Sequence, residues 1–154
     1  MPDGLDHADL YHTGVVVADL EAAQQEYGRL LGVSWLTGGG SVQIQTPDGS
    51  SVVETKYALS AEGPHHLELV QSVPGTLYIA SGSASAHHIG YWVDDVAEAS
   101  ARLEKAGLPC AASVGAPGGK RGPMAAYHRT GDGLYVEVVA RFMRRVLFPG
   151  AAER

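Results

Sequence analysis

His12-Thr13-Gly14-Val15-Val16-Val17-Ala18-Asp19 returns later in the chain as His88-Ile89-Gly90-Tyr91-Trp92-Val93-Asp94-Asp95. In both copies glycine follows histidine by two positions, valine by five and aspartate by seven. Each copy then runs into apolar residues at helical spacing: Leu20, Ala23, Tyr27, Leu30 and Leu31 in the first, Val96, Ala99, Leu103 and Ala106 in the second. Asp19 and Asp95 stand at the helix N-caps, with Glu98 completing a capping box, and Gly32 and Gly107 supply the stops.

The remainder of each half reads as three strands. Segments 33–36, 42–46 and 51–59 are separated by a glycine-rich turn and by Pro47-Asp48-Gly49, which is the grammar of a hairpin. Segments 109–114 and 124–130 precede Gly131-Asp132-Gly133 and a last strand over 134–140. Each half closes on a strand with one acid among aliphatics, Leu67-Glu68-Leu69-Val70 and Val136-Glu137-Val138-Val139. The pattern predicts an α+β fold of two βαβββ modules, 8–79 and 86–140, in one compact domain, with a cleft between curved mixed sheets. The small residues of 80–86 suit a flexible joint, and the tail, 141–154, alternates basic and apolar residues as a short helix would, against the body or a second copy in a homodimer.

Residue parity decides which strand side chains can meet. His12 shares a face with Gly14 and Val16, opposite Val15 and Val17; His88 shares one with Gly90, opposite Ile89, Tyr91 and Val93. Glu68 opposes Leu67 and Leu69, and Glu137 opposes Val136 and Val138. Packing the aliphatic rows under the helices sends both histidines and both glutamates to the other face. A carboxylate among buried strand residues costs several kcal/mol unless paired or coordinated, so two in equivalent positions call for a cation. His12, Glu68, His88 and Glu137 are therefore the expected ligands of one divalent ion. Two imidazoles and two carboxylates suit Ni, Co, Mn, Fe or Zn in an open site better than a closed thiolate-rich structural zinc.

Composition narrows the function further. A net charge of -6, spread along the chain, lacks the basic footprint of a nucleic-acid binder. The aliphatic runs are strand-length and the first ten residues are acidic and polar, so the expectation is a cytoplasmic protein without a membrane span. Cys110, the single cysteine, follows Pro109 in an apolar run and reads as a buried thiol. The loop 115–123 is glycine-rich but has no Ser or Thr after Lys120 and lacks P-loop spacing, which argues against a nucleotide site.

Paired βαβββ modules that open on His-x-Gly and close on a glutamate-bearing strand resemble the vicinal oxygen chelate superfamily (glyoxalase, bleomycin resistance, dioxygenase) over roughly 10–140, nearly the whole chain. The resemblance implies a divalent metal held by His12, Glu68, His88 and Glu137, and a substrate that binds through adjacent oxygens. Glyoxalase I shows a similar two-His, two-Glu set, whereas methylmalonyl-CoA epimerase has Gln in place of the first Glu. Val52-Val53-Glu54 resembles the epimerase strand that carries a catalytic glutamate, and Ala126-Tyr127-His128 is similar to that enzyme as well.

The resulting expectation is a metal-dependent isomerase, epimerase or lyase that polarises a substrate carbonyl while Glu54, or Glu137 leaving the metal, moves the proton. Its substrate would be a small molecule with adjacent oxygens, an acyl thioester among them. His66, on the Glu68 face, and His128 are candidate substrate contacts, with Lys120 and Arg121 at the cleft mouth for an anionic group. His65 and His87 have the opposite parity and are expected outside the site, exposed or as outer supports. Two alternatives remain: an extradiol-type dioxygenase, which needs two His and one Glu around iron, and a drug- or metabolite-binding resistance protein that uses aromatic surfaces such as Trp35, Tyr57, Tyr91 and Trp92 without turnover.

Overall fold

Asp19 and Asp95 fix where the two long helices begin. In the computed structural model, which describes residues 4–150, both lie in extended backbone and accept a hydrogen bond from the amide three residues on, Ala22 and Glu98, each at 3.0 Å. Helix α1 spans Leu20–Leu31 and α2 Val96–Lys105. Gly32 adopts the left-handed conformation (φ 68) that closes α1.

The strands of the first module are β1 (Leu10–Val17), β2 (Trp35–Thr46), β3 (Gly49–Ser60) and β4 (His66–Gln71). Those of the second are β5 (Ala84–Val93), β6 (Cys110–Gly115), β7 (Ala125–Arg129) and β8 (Tyr135–Ala140). Their order around the sheet is β1-β4-β3-β2-β6-β7-β8-β5, a closed barrel that reads alike from either end when the modules are exchanged. β1 runs parallel to β4 and β5 parallel to β8, while the modules meet antiparallel at β1–β5. A second seam pairs Gln43, Ile44 and Gln45 of β2 with Gly115, Val114 and Ser113 of β6. The two curved sheets are thus joined along both edges, and the expected cleft is the interior of a barrel.

Apolar side chains sort into the groups that strand parity predicts. Val17, Ala58 and Leu69 of the strands pack with Leu20 of α1, and Val93 and Val138 with Val96 and Leu103 of α2, with the half-buried Cys110 at the edge of that second group. The barrel interior holds Val16, Leu59, Val70, Trp92, Tyr127 and Val139. Full burial of one such Val or Leu contributes about 1.5–3 kcal/mol, so the helices are held by their contact faces more than by helical propensity.

The segments that leave β4 and β8 both return to the interior. From the first, Tyr78 enters the barrel core; the stretch expected to be a flexible joint is already β5 from Ala84 onward. From the second, the short helix α3 (Arg144–Leu147) leads Phe148 into the core, 4.2 Å from the His66 ring and 6.2 Å from Tyr11. Arg141 straps this tail down through Asp94 at 2.8 Å and Asp9 at 3.1 Å. Residues 151–154 of the predicted tail lie outside the described residues. No helix among the described residues is long and apolar enough to cross a membrane.

Candidate metal centre

The register of β1 against β5 explains the repeated His-x-Gly. His12 pairs with Gly90 and Gly14 with His88, so each histidine lies across from the other module's glycine. A Cβ on Gly14 would stand 2.0 Å from His88 Cε1, and one on Gly90 would stand 1.9 Å from His12 Cε1. The parallel neighbours complete the frame, since Gly14 also pairs with Glu68 and Gly90 with Glu137. Each glycine is the space into which the opposite imidazole is laid.

The donor atoms converge. His12 Nε2 and His88 Nε2 are 2.9 Å apart, both rings fully buried. Glu68 Oε1 lies 3.0 Å from His88 Nε2 and 3.7 Å from His12 Nε2; Glu137 Oε1 lies 3.1 Å from His12 Nε2 and 3.7 Å from His88 Nε2. His12, Glu68 and His88 each offer a ligand atom, and these lie within 4.8 Å of one another, close enough to hold a metal ion. Buried imidazoles facing each other nitrogen to nitrogen, flanked by two carboxylate oxygens, fit a cation better than they fit one another.

Electrostatics follow from the same crowding. Burial acts to lower the His88 pKa, but the charge of Glu137 and the hydrogen bond and charge of Glu68 outweigh it and leave it raised. Burial acts to raise Glu137, and the charge of His88 and the hydrogen bond to His12 overcome this and hold it below the usual carboxylate range. Glu137 is therefore an anion at neutral pH. Tyr127, its cross-strand partner on β7, has its phenol pushed far up by burial and by Glu137, and its hydroxyl is 3.0 Å from that of Tyr78.

A β-bulge precedes each histidine, with the register shifting around Tyr11 and around His87. The extra residue turns inward in both modules. His87, expected outside on parity alone, is buried, with Nδ1 2.8 Å from His88 Nδ1 and Nε2 2.9 Å from the Leu77 carbonyl. Leu77 can only accept, so His87 donates from Nε2 and accepts at Nδ1 from His88 N–H, leaving the Nε2 lone pair of His88 for the centre. Burial, followed by the neighbouring His88 charge, lowers His87 to about 4, which keeps it neutral for that role. Bulges carry no compositional signature here, so the inward turn of His87 was not legible in the sequence, although its place as an outer support was among the expectations.

Four other predicted residues do not join the cluster. Glu54 is exposed on the outer face of β3 and accepts a hydrogen bond from the Ser41 hydroxyl, while Thr55 and Tyr57 line the interior; strand alternation turns it away. His128 is fully buried beneath α2, where it bonds Ser100 Oγ at 2.7 Å and the Leu108 carbonyl at 2.8 Å, and so ties helix to strand without facing the interior. Lys120 and Arg121 are exposed in the β6–β7 loop, away from the interior lining. A fifth, His66, has Nδ1 2.7 Å from the Ser60 carbonyl and its ring against Phe148, on the outer side of the tail. His65 is exposed as expected, 2.8 Å from Thr13 Oγ1.

The family profile described as Glyoxalase/Bleomycin resistance protein/Dioxygenase superfamily matches residues 11–127, and the chain belongs to that superfamily. Similar solved structures include a variant of Streptomyces coelicolor methylmalonyl-CoA epimerase in complex with 2-nitronate-propionyl-CoA, with 17% identity, 86% of this chain and 96% of that one covered, and a TM-score of 0.57. Methylmalonyl-CoA epimerase from Mycobacterium tuberculosis aligns with 17% identity over 88% of this chain and 91% of that one at a TM-score of 0.54. A hypothetical protein from Bacillus halodurans aligns with 19% identity over 94% and 97% at 0.57. At such identities the likeness is one of fold. No curated protein matches the chain.

Proposed function

We propose that the protein is a divalent-metal-dependent isomerase, epimerase or lyase acting on a small molecule with adjacent oxygens. The observation that carries this reading is the convergence of two imidazole nitrogens and two carboxylate oxygens within 3.7 Å of one another's partners inside the barrel. His12, Glu68, His88 and Glu137 would hold the ion, drawn from Ni, Co, Mn, Fe or Zn. When bound, the ion supplies a Lewis acid that draws electron density from a carbonyl oxygen, several kcal/mol of stabilisation as charge develops.

The chain's own residues do the rest. Glu68 and Glu137 line the central cavity, so either carboxylate reaches a ligand there. Glu137 lines the cavity and would serve as the base: its carboxylate takes the proton from carbon and returns it, a contribution of about 10²–10⁴-fold. His87 holds the His88 ring through its Nδ1. A fourth donor in Glu68 favours proton chemistry over the oxygen chemistry of a three-ligand iron site. An acyl thioester, the class the structurally similar epimerases bind, is one form of such a carbonyl substrate, and a shorter uncharged molecule that presents the same oxygens is another.

The test is metal analysis of purified protein beside His12→Ala and Glu137→Gln, followed by solvent-deuterium exchange into 2-methyl-3-oxoacyl thioesters and 2-ketoaldehyde adducts. Metal lost in His12→Ala, and exchange lost in Glu137→Gln, are the expected results. Equal metal in wild type and His12→Ala contradicts the assignment.

A further inference from the structure

We propose that the barrel interior selects a compact ligand that is uncharged apart from the oxygens it presents to the metal centre, and that Met143 and Leu147 of the tail set its length. This rests on the reading of the centre given above, and it adds the class of molecule that the centre receives. Beside Glu68 and Glu137 lies a cavity of about 130 Å³. A dry cavity of about 150 Å³ lined by aliphatic side chains holds benzene, so the space matches a ligand of about six non-hydrogen atoms.

Its walls restrict the chemistry as well as the size. Val70, Val114 and Val139 present hydrocarbon, and the polar groups apart from the two glutamates are hydroxyls, those of Thr55, Tyr57, Tyr127 and their neighbours. No lysine, arginine or histidine is among the lining residues described. Every charge in the lining is therefore negative. A second anionic group on the ligand, held away from the metal, would be buried without a cation and would face Glu68 and Glu137, which strongly disfavours it. Lys120 and Arg121 cannot neutralise it from their exposed loop, and Arg144 lines another pocket, beside His66 and Phe148, and not this one.

The tail supplies the wall that ends the cavity's length. Met143 and Leu147 line it from outside the strands, anchored by buried Phe148 and by Arg141 on Asp9 and Asp94. Both lie past β8, the last strand of the second module, so this wall comes from the C-terminal tail and not from the barrel strands. A flexible thioether and a leucine on a four-residue helix form an adjustable stop.

The experiment follows the methyl NMR signals of Met124 and Met143, both of which line the cavity, in full-length protein loaded with Ni²⁺ and in protein stripped with chelator. Loaded protein is titrated with butyrohydroxamate, octanohydroxamate and succinic monohydroxamate, each offering the same pair of oxygens; stripped protein is titrated with benzene and benzoate. Butyrohydroxamate is expected to bind at least about tenfold more tightly than either of the others, and benzene to shift both methyls where benzoate does not. Leu147→Ala brings octanohydroxamate to within about threefold of butyrohydroxamate, and Leu147→Trp removes benzene and butyrohydroxamate binding with metal content unchanged. Equal binding of the long or charged hydroxamate by wild type, a benzoate response equal to that of benzene, or tail variants that leave the series unaltered overturns the proposal. Loss of the metal reading alone looks different: no Ni²⁺ is retained, yet the benzene response persists and depends on Leu147.

Discussion

The two modules place their histidines alike and support them differently. In the second, His88 donates a hydrogen bond from Nδ1 to His87, which is anchored in turn on the Leu77 carbonyl. In the first, the bulged position is Tyr11, whose ring stacks on Trp92 at 3.7 Å and leaves His12 Nδ1 buried without a hydrogen-bond partner among the described residues. Duplication thus preserved the ligand geometry, which the reciprocal His–glycine register enforces, and let the surrounding contacts diverge. His88 is oriented through its Nδ1, whereas on the Nδ1 side His12 is held by packing alone.

Removing a ligand tests the shared geometry and has the largest effect. His88→Ala and His12→Ala are each expected to lower metal affinity by more than about 100-fold, above the range for outer supports, as read by competition with a chromophoric chelator. Near-equal losses fit a symmetric centre, and retention in one variant would break the equivalence.

Next come the glycines. Gly14→Ala and Gly90→Ala each drive a methyl into a buried imidazole, and overpacking of this kind costs about 1–3 kcal/mol, to be measured by urea unfolding together with metal content. Gly14→Ala displaces the ring that is tied to His87, so it is expected to cost more stability than Gly90→Ala. The reverse order would show that the His87 contact does not anchor His88.

The smallest effects separate the two supports. His87→Leu removes the acceptor for His88 Nδ1 and is expected to weaken metal binding by about 10–100-fold, while Tyr11→Phe changes it by less than about twofold. His87→Gln, which can still accept through its amide oxygen, should recover part of the loss. Equal affinities for His87→Leu and wild type would make the relay a packing detail.

How far the sequence carries follows from which interactions are local. The helices were legible because Asp19 and Asp95 act on amides three residues away. Strand parity placed Val15, Val17, Leu67 and Leu69 on the α1 side and Glu68 opposite them. The meaning of the glycine in His-x-Gly was only half visible, since its contact is with the other module's ring. Parity put His87 outside the ligand set, exposed or as an outer support, and the bulge that turns it inward makes it the support of His88. Resemblance, not parity, suggested His128 and Glu54: the first lies under α2, where a buried polar group looks in sequence like one in a site, and alternation turns the second outward. The β2–β6 seam that closes the barrel depends on three residue pairs far apart in the chain, and nothing local records it.

X-ray absorption of wild-type protein loaded with Ni²⁺ or Co²⁺ tests the centre most directly. One ion per chain is predicted, with two imidazoles and carboxylate oxygens in its inner shell at about 2.0–2.2 Å, as for nitrogen and oxygen donors generally. A chain that retains no ion after desalting, or a shell that lacks the paired imidazole signature, would contradict it.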